Sequence, residues 1–251
     1  MRPNRLKEIW DSGRAATNCW INIPHVYVAE AMAHQGWDSA TIDLQHGMID
    51  MPDAYAMLAA ISTTDCVPLV RVPWNEPGII MRALDGGAYG IICPMINSRE
   101  DCEAFVGACR YAPEGYRSVG PNRAVLYGGN DYLSAANDTI VTLAMIETAE
   151  AMDNLEEICS TPGLDGVLIG PSDLGLSLGR EPRPDQTDPV VVDAIDRILA
   201  VAKQNGLRTA IFCASTDYAK QMIAKGFDLV TVTSDTSLLR KGAVLANEMR
   251  D

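Results

Sequence analysis

Four side chains with catalytic potential stand where short apolar segments of the sequence end. Glu147 follows IVTLAMI (140–146), and Asp173 follows GVLIGPS (166–172). His46 comes shortly after ATID (40–43), and Arg71 directly follows VPLV (67–70). If these segments are strands of one parallel sheet, their carboxyl ends meet on the same side of it. The spacing therefore predicts a polar cavity that contains two carboxylates, an imidazole and a guanidinium.

The two carboxylates indicate a metal ion. Two acids that face one cavity repel each other, and burying them without a partner is costly. A hard divalent cation such as Mg²⁺ or Mn²⁺ offsets this repulsion, and it typically takes one or two carboxylates together with water and substrate oxygens. Zinc is disfavoured because His46 has no apparent second His or Cys ligand. We therefore expect Glu147 and Asp173 to bind a hard cation.

Taken one at a time, the same residues also permit structural roles. Asp173 could cap a helix after the Gly-Pro turn, and Arg71 could pair with Asp43 or Glu76. A lone histidine such as His46 is more often structural than catalytic. The coincidence of these residue types at four strand ends is what favours an active site.

The lysines argue against a Schiff-base mechanism, which needs a desolvated lysine beside the reacting carbonyl. No lysine ends a predicted strand, and all but Lys7 fall on a predicted helix; the lysines are Lys7, Lys203, Lys220, Lys225 and Lys241. Carbonyl chemistry on this chain would therefore rely on a metal.

Eight short apolar segments alternate with helix-patterned ones, and several are apolar on both faces, as strands buried on both sides must be. The predicted strands are 16–23, 39–43, 68–72, 90–95, 140–146, 166–170, 208–213 and 229–233. The predicted helices are 26–35, 52–62, 76–84, 99–110, 149–159, 190–204, 216–225 and 237–248. This alternation predicts an α/β fold, a (β/α)₈ TIM barrel, as a single domain over 1–251.

An open doubly wound sheet is the alternative architecture. It is disfavoured because neither G-x-G-x-x-G nor G-x-x-x-x-G-K-[ST] follows any predicted strand. Segments 111–138 and 174–188 break the alternation and are expected to be long loops of functional or interface character. No internal repeat is apparent.

Composition limits the classes of partner. Thirty-three acidic and twenty basic residues give a formal net charge of −13, which disfavours nucleic acid and anionic membranes as partners. The first ten residues contain no apolar signal region, and no segment approaches the ~20 apolar residues of a membrane helix. The seven cysteines form no C-x-x-C pair. We expect a cytoplasmic protein with reduced thiols.

Six segments are similar to those of one protein family. They are IDLQHG (42–47), VRVPWNEP (70–77), ALDGGAYGIICPMI (83–96), RYAPEGYRSVGP (110–121), AMIETAEAMDNL (144–155) and GVLIGPSDLGLSLG (166–179). In this order they resemble the HpcH/HpaI aldolase/citrate lyase family, and more closely its metal-dependent (class II) 2-oxoacid and pyruvate aldolases. The resemblance spans nearly the whole chain.

The resemblance implies a barrel whose last helix is exchanged with a neighbouring subunit, assembled as a homo-hexamer that is a trimer of dimers. It implies that Glu147 and Asp173 are the metal ligands and that His46 and Arg71 are catalytic. Asp85 would be contributed across a subunit contact to orient His46.

The resemblance also assigns substrate contacts. Backbone N–H groups around Ser172 and Asp173 would hold the substrate carboxylate, Phe212 would shape the aldehyde pocket, and Trp20 would line the mouth.

Two positions depart from the family pattern. Many members have Glu where this chain has Gln45, and several have Gln where it has Met145. Both departures bear on hydrogen bonds around metal-bound water and on substrate range.

The predicted reaction is reversible aldol chemistry with Mg²⁺, Mn²⁺ or Co²⁺ as cofactor and a 2-oxoacid and an aldehyde as substrates. His46, oriented by Asp43 or Asp85, would take a proton from C3 of a metal-chelated pyruvate, and Arg71 would stabilise the enolate oxygen. Three alternatives remain open. They are a citramalyl- or malyl-CoA-type lyase, a decarboxylase or tautomerase that uses the same metal enolate, and a non-catalytic barrel that binds a 2-oxoacid.

Overall fold

Eight parallel strands, arranged in chain order, form a closed barrel in this computed structural model, which describes residues 1–250. The strands are β1 (Ala16–Ile21), β2 (Ser39–Asp43), β3 (Val67–Arg71), β4 (Gly90–Cys93), β5 (Val141–Ile146), β6 (Gly166–Ile169), β7 (Arg208–Phe212) and β8 (Leu229–Ser234). β1 pairs with both β2 and β8, so the sheet has no free edge. The predicted (β/α)₈ barrel is confirmed, and the open doubly wound sheet is wrong.

The helices lie outside this barrel. Within residues 1–250 they are α1 (Arg5–Asp11), α2 (Val26–Ala33), α3 (Met51–Ile61), α4 (Pro77–Asp85), α5 (Arg99–Cys109), α6 (Ala124–Gly128), α7 (Tyr132–Thr139), α8 (Ala149–Asp153), α9 (Leu155–Cys159), α10 (Pro171–Ser177), α11 (Pro189–Gln204), α12 (Thr216–Lys225) and α13 (Asp235–Asn247), followed by a 3₁₀ turn at Glu248–Arg250. Their apolar stripes pack on the strands, as in α11, where Ile195, Ile198 and Ala202 are buried at helical spacing. No helix in this part of the chain is long and apolar enough to cross a membrane.

Two predicted loops and one predicted helix differ from the observed structure. Segment 111–138, expected to be a loop, contains α6 and most of α7, and segment 174–188 begins inside α10. The single helix expected at 149–159 is divided at Asn154, whose Nδ2 donates to the carbonyl oxygen of Asn97 at 2.7 Å. Such short helices depend on tertiary packing, here the full burial of Tyr132 on α7, and so they leave little periodic signal in the sequence.

A repeated contact joins pairs of strands at the amino-terminal end of the barrel. In each case an aspartate just before one strand accepts two hydrogen bonds, from the backbone N–H and the hydroxyl of a threonine on the preceding strand. The pairs are Asp38 with Thr17 (2.9 and 3.1 Å), Asp165 with Thr142 (2.8 and 2.9 Å) and Asp228 with Thr209 (2.7 and 3.0 Å). The contact therefore recurs between β1 and β2, β5 and β6, and β7 and β8.

Among the four two-strand units β1–β2, β3–β4, β5–β6 and β7–β8, the unit β3–β4 lacks this contact. Its register places Pro68 opposite Tyr89, where the other pairs have threonine and aspartate. Proline has no backbone N–H, so no carboxylate is needed to accept from it. The contact thus recurs in space between two-strand units and does not amount to an internal repeat of the sequence. Only one contact pair per unit is shared, at separations of 21, 23 and 19 residues, which makes the recurrence invisible along the chain.

Candidate active site

A cavity of about 230 Å³ opens at the carboxyl ends of the strands. Its lining includes seven of the nine predicted site residues, which are Trp20, Asp43, His46, Arg71, Ser172, Asp173 and Phe212. A further set of lining residues was not predicted, or was noted only as a departure from the family pattern: Asn22, Met145, Leu168, Gly170, Pro171 and Ser234. The structure thus brings together side chains from strands that are far apart along the chain.

Asp43 and Arg71 form a bidentate ion pair at the ends of β2 and β3. The strand register sets them directly opposite each other. Arg71 Nε donates to Oδ1 of Asp43 at 2.8 Å, and Arg71 Nη2 donates to Oδ2 at 2.7 Å. Burial raises the pKa of the Asp43 carboxyl, but the hydrogen bonds and charge of Arg71, with smaller contributions from Trp20 and Gln45, outweigh it and hold the pKa below its usual value. Arg71 Nη1 makes no hydrogen bond within residues 1–250, so the guanidinium keeps a donor edge free beside the cavity.

Glu147 lies buried just beyond the end of β5. The pairing of Ile146 with Ile169 sets Glu147 beside Gly170, and a Cβ atom at residue 170 would overlap Oε2 of the glutamate. Burial, and then the charge of Asp173, raise the pKa of Glu147 to about 7, against the opposing effects of a Met95 N–H donor and of Arg71. This acid is therefore held in an environment that disfavours its own charge.

Met95 has an unusual backbone conformation that directs its N–H group towards Glu147. Its φ angle of 55° lies in the left-handed region, which non-glycine residues seldom adopt. In this conformation its N–H donates to Oε1 of Glu147 at 2.9 Å. Residues held in this way cluster at functional sites. No feature of side-chain type marks this position in the sequence.

Asp173 lies in the first turn of α10, three residues after the N-cap Gly170. It is therefore not itself the helix cap. The backbone N–H groups of Ser172 and Asp173 have no acceptor among the described residues, as expected for the first turn of a helix. Two N–H donors thus stand at the wall of the cavity beside the Asp173 side chain, where an anionic group can bind.

His46 is exposed at the mouth of the cavity. Its backbone N–H donates to Oδ1 of Asp43 at 3.3 Å, while its imidazole makes no hydrogen bond within residues 1–250. Asp43 therefore holds the chain at His46 without contacting the ring.

Asp85 lies apart from this cavity. It lines a second cavity of about 450 Å³ with Tyr55, Arg82 and other residues, and it accepts a hydrogen bond from Arg117 Nη2 at 2.7 Å. Arg117 is in turn fully buried between the rings of Tyr111 and Tyr132, at 4.5 and 5.5 Å. Within one chain, Asp85 does not reach His46.

The residues beside the cavity fit a hard divalent cation. Glu147 and Asp173 supply only carboxylate oxygens, and the charge of Asp173 disfavours the charge of Glu147 in the absence of a cation. Gly170 leaves the space that a side chain would fill next to Oε2 of Glu147. Within residues 1–250 no group of three or more His, Cys, Asp or Glu side chains has a metal-binding arrangement. Two acids with the remaining positions left to water and substrate match magnesium better than zinc.

None of the lysines takes part in this site. All lie on helices, and none lines the cavity. Fold and site together define a barrel protein whose acids, arginine and helix N-terminus all meet at the carboxyl ends of the strands, where enzymes of this architecture carry their active sites.

Residues 16–242 match the model of the HpcH/HpaI aldolase/citrate lyase family, and the chain belongs to that family. It is 43% identical over 240 residues to a hydroxypyruvate/pyruvate aldolase of Rhizorhabdus wittichii, with 96% of each chain covered. It is 36% identical to a 4-hydroxy-2-oxo-heptane-1,7-dioate aldolase of Klebsiella pneumoniae, over 96% of this chain and 91% of the relative. The crystal structure of an HpcH/HpaI family protein from Burkholderia cenocepacia superposes with a TM-score of 0.90 at 34% identity, covering 98% of both chains.

Proposed function

We propose that this protein is a divalent-metal-dependent aldolase. It would form or cleave 4-hydroxy-2-oxoacids, using pyruvate or a related 2-oxoacid and an aldehyde. The names of its relatives support the reaction class. The observation that carries the metal dependence is the pair of neighbouring acids, buried Glu147 and exposed Asp173, beside a cavity that Arg71 also lines.

In this proposal Glu147 and Asp173 hold a Mg²⁺, Mn²⁺ or Co²⁺ ion. When bound, the ion supplies Lewis-acid polarisation of a carbonyl group. The N–H groups of Ser172 and Asp173 bind the substrate carboxylate, and this local donor site compensates for the acidic surface of the protein.

The proton and charge movements are assigned to two residues. An imidazole nitrogen of His46 takes the proton from C3 of the oxoacid, and the electron pair of that C–H bond moves to form the C2–C3 double bond of an enolate. Arg71 donates from its free edge to the enolate oxygen as negative charge develops there. C3 then attacks the aldehyde carbon, whose substituent lies against Phe212 and Trp20. As this bond forms, the C2 carbonyl is restored, the π pair of the aldehyde C=O moves to its oxygen, and that oxygen takes the proton back from His46. Cleavage follows the same path in reverse.

We also propose that the working form is a homo-hexamer with α13 exchanged between subunits. Supporting this, α13 exposes Leu239, Val244 and Leu245 to solvent, and an apolar groove of about 560 Å³ lies between α13 and α2. A neighbouring subunit would bring Asp85 to the unpartnered imidazole of His46 and orient it. Such a complex would operate in the cytoplasm.

Hydrogen–deuterium exchange at C3 of pyruvate tests the proposal most directly. With Mg²⁺, Mn²⁺ or Co²⁺ present we expect exchange, and exhaustive chelation should abolish it. Asp173→Asn should weaken metal binding at least tenfold, measured by calorimetry, without lowering the melting temperature of the metal-free protein. Exchange that survives chelation would contradict the metal ligands, and borohydride trapping of pyruvate on a lysine would contradict the whole route.

An aldehyde panel then separates the alternatives. Carbon–carbon bond formation with any aldehyde supports the aldolase. Exchange without aldehyde addition would favour a decarboxylase or tautomerase, activity confined to CoA thioesters would favour a lyase of that type, and absence of exchange would favour a binding protein.

A further inference from the structure

Trp20 contacts both members of the Asp43–Arg71 pair. It stands near the end of β1, with only 3% of its surface exposed. Its indole Nε1 donates to Oδ2 of Asp43 at 3.0 Å. The centre of the Arg71 guanidinium lies 4.8 Å from the centroid of the indole ring. We propose that Trp20 is a positioning residue that sets the orientation of Arg71, a role that rests on the aldolase function proposed above and goes beyond lining the mouth.

The hydrogen bonds of Asp43 explain why Arg71 needs this support. Oδ1 is held by the backbone N–H groups of Gln45 and His46 as well as by Arg71 Nε. Oδ2 accepts from Arg71 Nη2 and from Trp20, and from no other donor in residues 1–250. The indole N–H is therefore the contact besides Arg71 that fixes Oδ2, and it acts together with the backbone donors on Oδ1 to keep the carboxylate, and with it the guanidinium, from rotating.

The face of the indole supplies a second constraint. A cation that lies over an indole face is attracted to it, and this attraction favours the observed position of the guanidinium. Phe212 meets the Trp20 ring edge-on, with centroids 5.6 Å apart and planes at 87°, and so holds the ring in place. The orientation of the free Nη1 donor of Arg71 is consequently restricted. A group that stabilises an oxyanion must keep such a fixed orientation during the reaction.

Trp20→Phe is the variant that isolates the hydrogen bond, because it keeps an aromatic face and removes the N–H. Trp10→Phe is a matched control. Trp10 is equally buried, donates its Nε1 to the carbonyl oxygen of Asp228 at 2.9 Å and lies under the guanidinium of Arg208 at 5.7 Å, but it does so at the opposite end of the barrel.

The first readout is metal-dependent C3 exchange of pyruvate without aldehyde. Trp20→Phe should lower kcat roughly tenfold, the usual scale for losing a hydrogen bond to a charged group, and should leave KM for pyruvate within about twofold. Trp10→Phe should change neither. In an Arg71→Ala background, Trp20→Phe should lower kcat by less than about twofold, because a residue that acts through Arg71 has nothing left to position.

The second readout does not depend on activity. In ¹⁵N-labelled protein the Nε–H signal of Arg71, assigned with Arg71→Lys, reports how firmly the ion pair is held. Its exchange with water should become at least about tenfold faster in Trp20→Phe and remain unchanged in Trp10→Phe.

Two outcomes would overturn the proposal. One is Trp20→Phe with unaltered C3 exchange and an unaltered Arg71 Nε–H signal, with or without a change in aldehyde KM; Trp20 would then be only a wall of the cavity. The other is an equal loss of kcat in the Arg71→Ala background. If the wild-type protein catalyses no C3 exchange with any metal, the aldolase function fails instead, and the Arg71 signal alone decides whether Trp20 orients that side chain.

Discussion

At the scale of single residues, two of the three carboxylates at the site lie in opposite electrostatic environments. Asp43 is paired with a guanidinium, and its pKa is held low. Among residues 1–250, Glu147 has no cationic partner in hydrogen-bond contact, and burial together with Asp173 raises its pKa to about 7. The first acid is thus stabilised within the chain, while the second would gain most from a bound cation.

Glu147→Gln should therefore stabilise the metal-free protein. A carboxyl whose pKa is raised by folding destabilises the folded state increasingly as pH rises from its ordinary value towards the raised one. Gln can still accept the Met95 N–H but carries no charge. At pH 8 in the presence of chelator, we expect the free energy of unfolding of Glu147→Gln to exceed that of the wild type by up to about 3 kcal/mol. This difference should disappear near pH 4. Urea unfolding at both pH values measures it, and a loss of stability at pH 8 would contradict the assigned environment.

Asp43→Asn should have the opposite effect. It removes the charge partner of Arg71, whose side chain is only 11% exposed, and unpairing a buried ion costs about 3–5 kcal/mol. Because the pKa of Asp43 is lowered, its contribution is present at neutral pH and is lost only as pH falls through that lowered value.

Asp65→Asn is the control for this variant. Asp65 faces Arg2 at 3.6 Å and its side chain is 85% exposed, so its loss should change stability by less than about 0.5 kcal/mol. Urea unfolding measures both variants. Equal decreases in the free energy of unfolding would show that the buried Asp43–Arg71 pair stabilises the fold no more than an exposed pair does.

At the scale of secondary-structure elements, the aspartate–threonine contacts join neighbouring strands at the end of the barrel remote from the cavity. Each satisfies a backbone N–H that the strand ladder leaves without a partner. This division agrees with the general pattern of such barrels, in which one end carries stability and the other carries the chemistry.

Asp165→Ala and Asp38→Ala should differ in cost. Both variants lose the two hydrogen bonds from a threonine. Leaving a buried donor unpaired in this way lowers the free energy of unfolding by about 1–3 kcal/mol. Asp165 also pairs with Arg110, whose side chain is only 4% exposed, and with Lys7. We therefore expect a loss of about 3–5 kcal/mol for Asp165→Ala and the smaller loss for Asp38→Ala, measured by urea unfolding. A greater loss for Asp38→Ala would contradict this ranking.

At the scale of the whole molecule, the last helix covers little of its own barrel. Asp235 is the only buried residue of α13 among those described, and it accepts hydrogen bonds from the backbone N–H groups of Asn22 and Ile23 at 3.0–3.1 Å. The start of α13 is therefore anchored beside the cavity, while its apolar residues face outward, where a second subunit can bury them.

Replacing Leu239 and Leu245 with glutamate should dissociate the proposed assembly. Both side chains are more than 60% exposed in the single chain, so the charges are tolerated there but not in an apolar interface. Analytical ultracentrifugation should show a smaller species with an unchanged melting transition. On the proposal that Asp85 of one subunit orients His46 of another, C3 exchange should also fall. Val190→Glu, at the start of α11, is the control that should leave the mass unaltered. A wild-type protein that sediments as a monomer would contradict the assembly.

The amino-acid sequence by itself determined the architecture, because alternation of doubly apolar strands with amphipathic helices has few packed solutions. It also predicted that Glu147, Asp173, His46 and Arg71 lie at or just beyond strand ends, because those ends are marked by a change from apolar to polar residues, and candidate catalytic residues of such barrels are sought there. The family resemblance likewise came from linear motifs.

Only the tertiary structure decided how these residues act on one another. The bidentate pairing of Asp43 with Arg71 depends on strand register. The hydrogen bond from the Met95 N–H depends on a left-handed backbone conformation. The contacts of Trp20 involve side chains from three other strands. The tertiary structure also separated Asp85 from the cavity and revealed the repeated aspartate–threonine contact. Such features are set by distances between residues remote in sequence, and a one-dimensional pattern carries periodicity and residue type but no such distances.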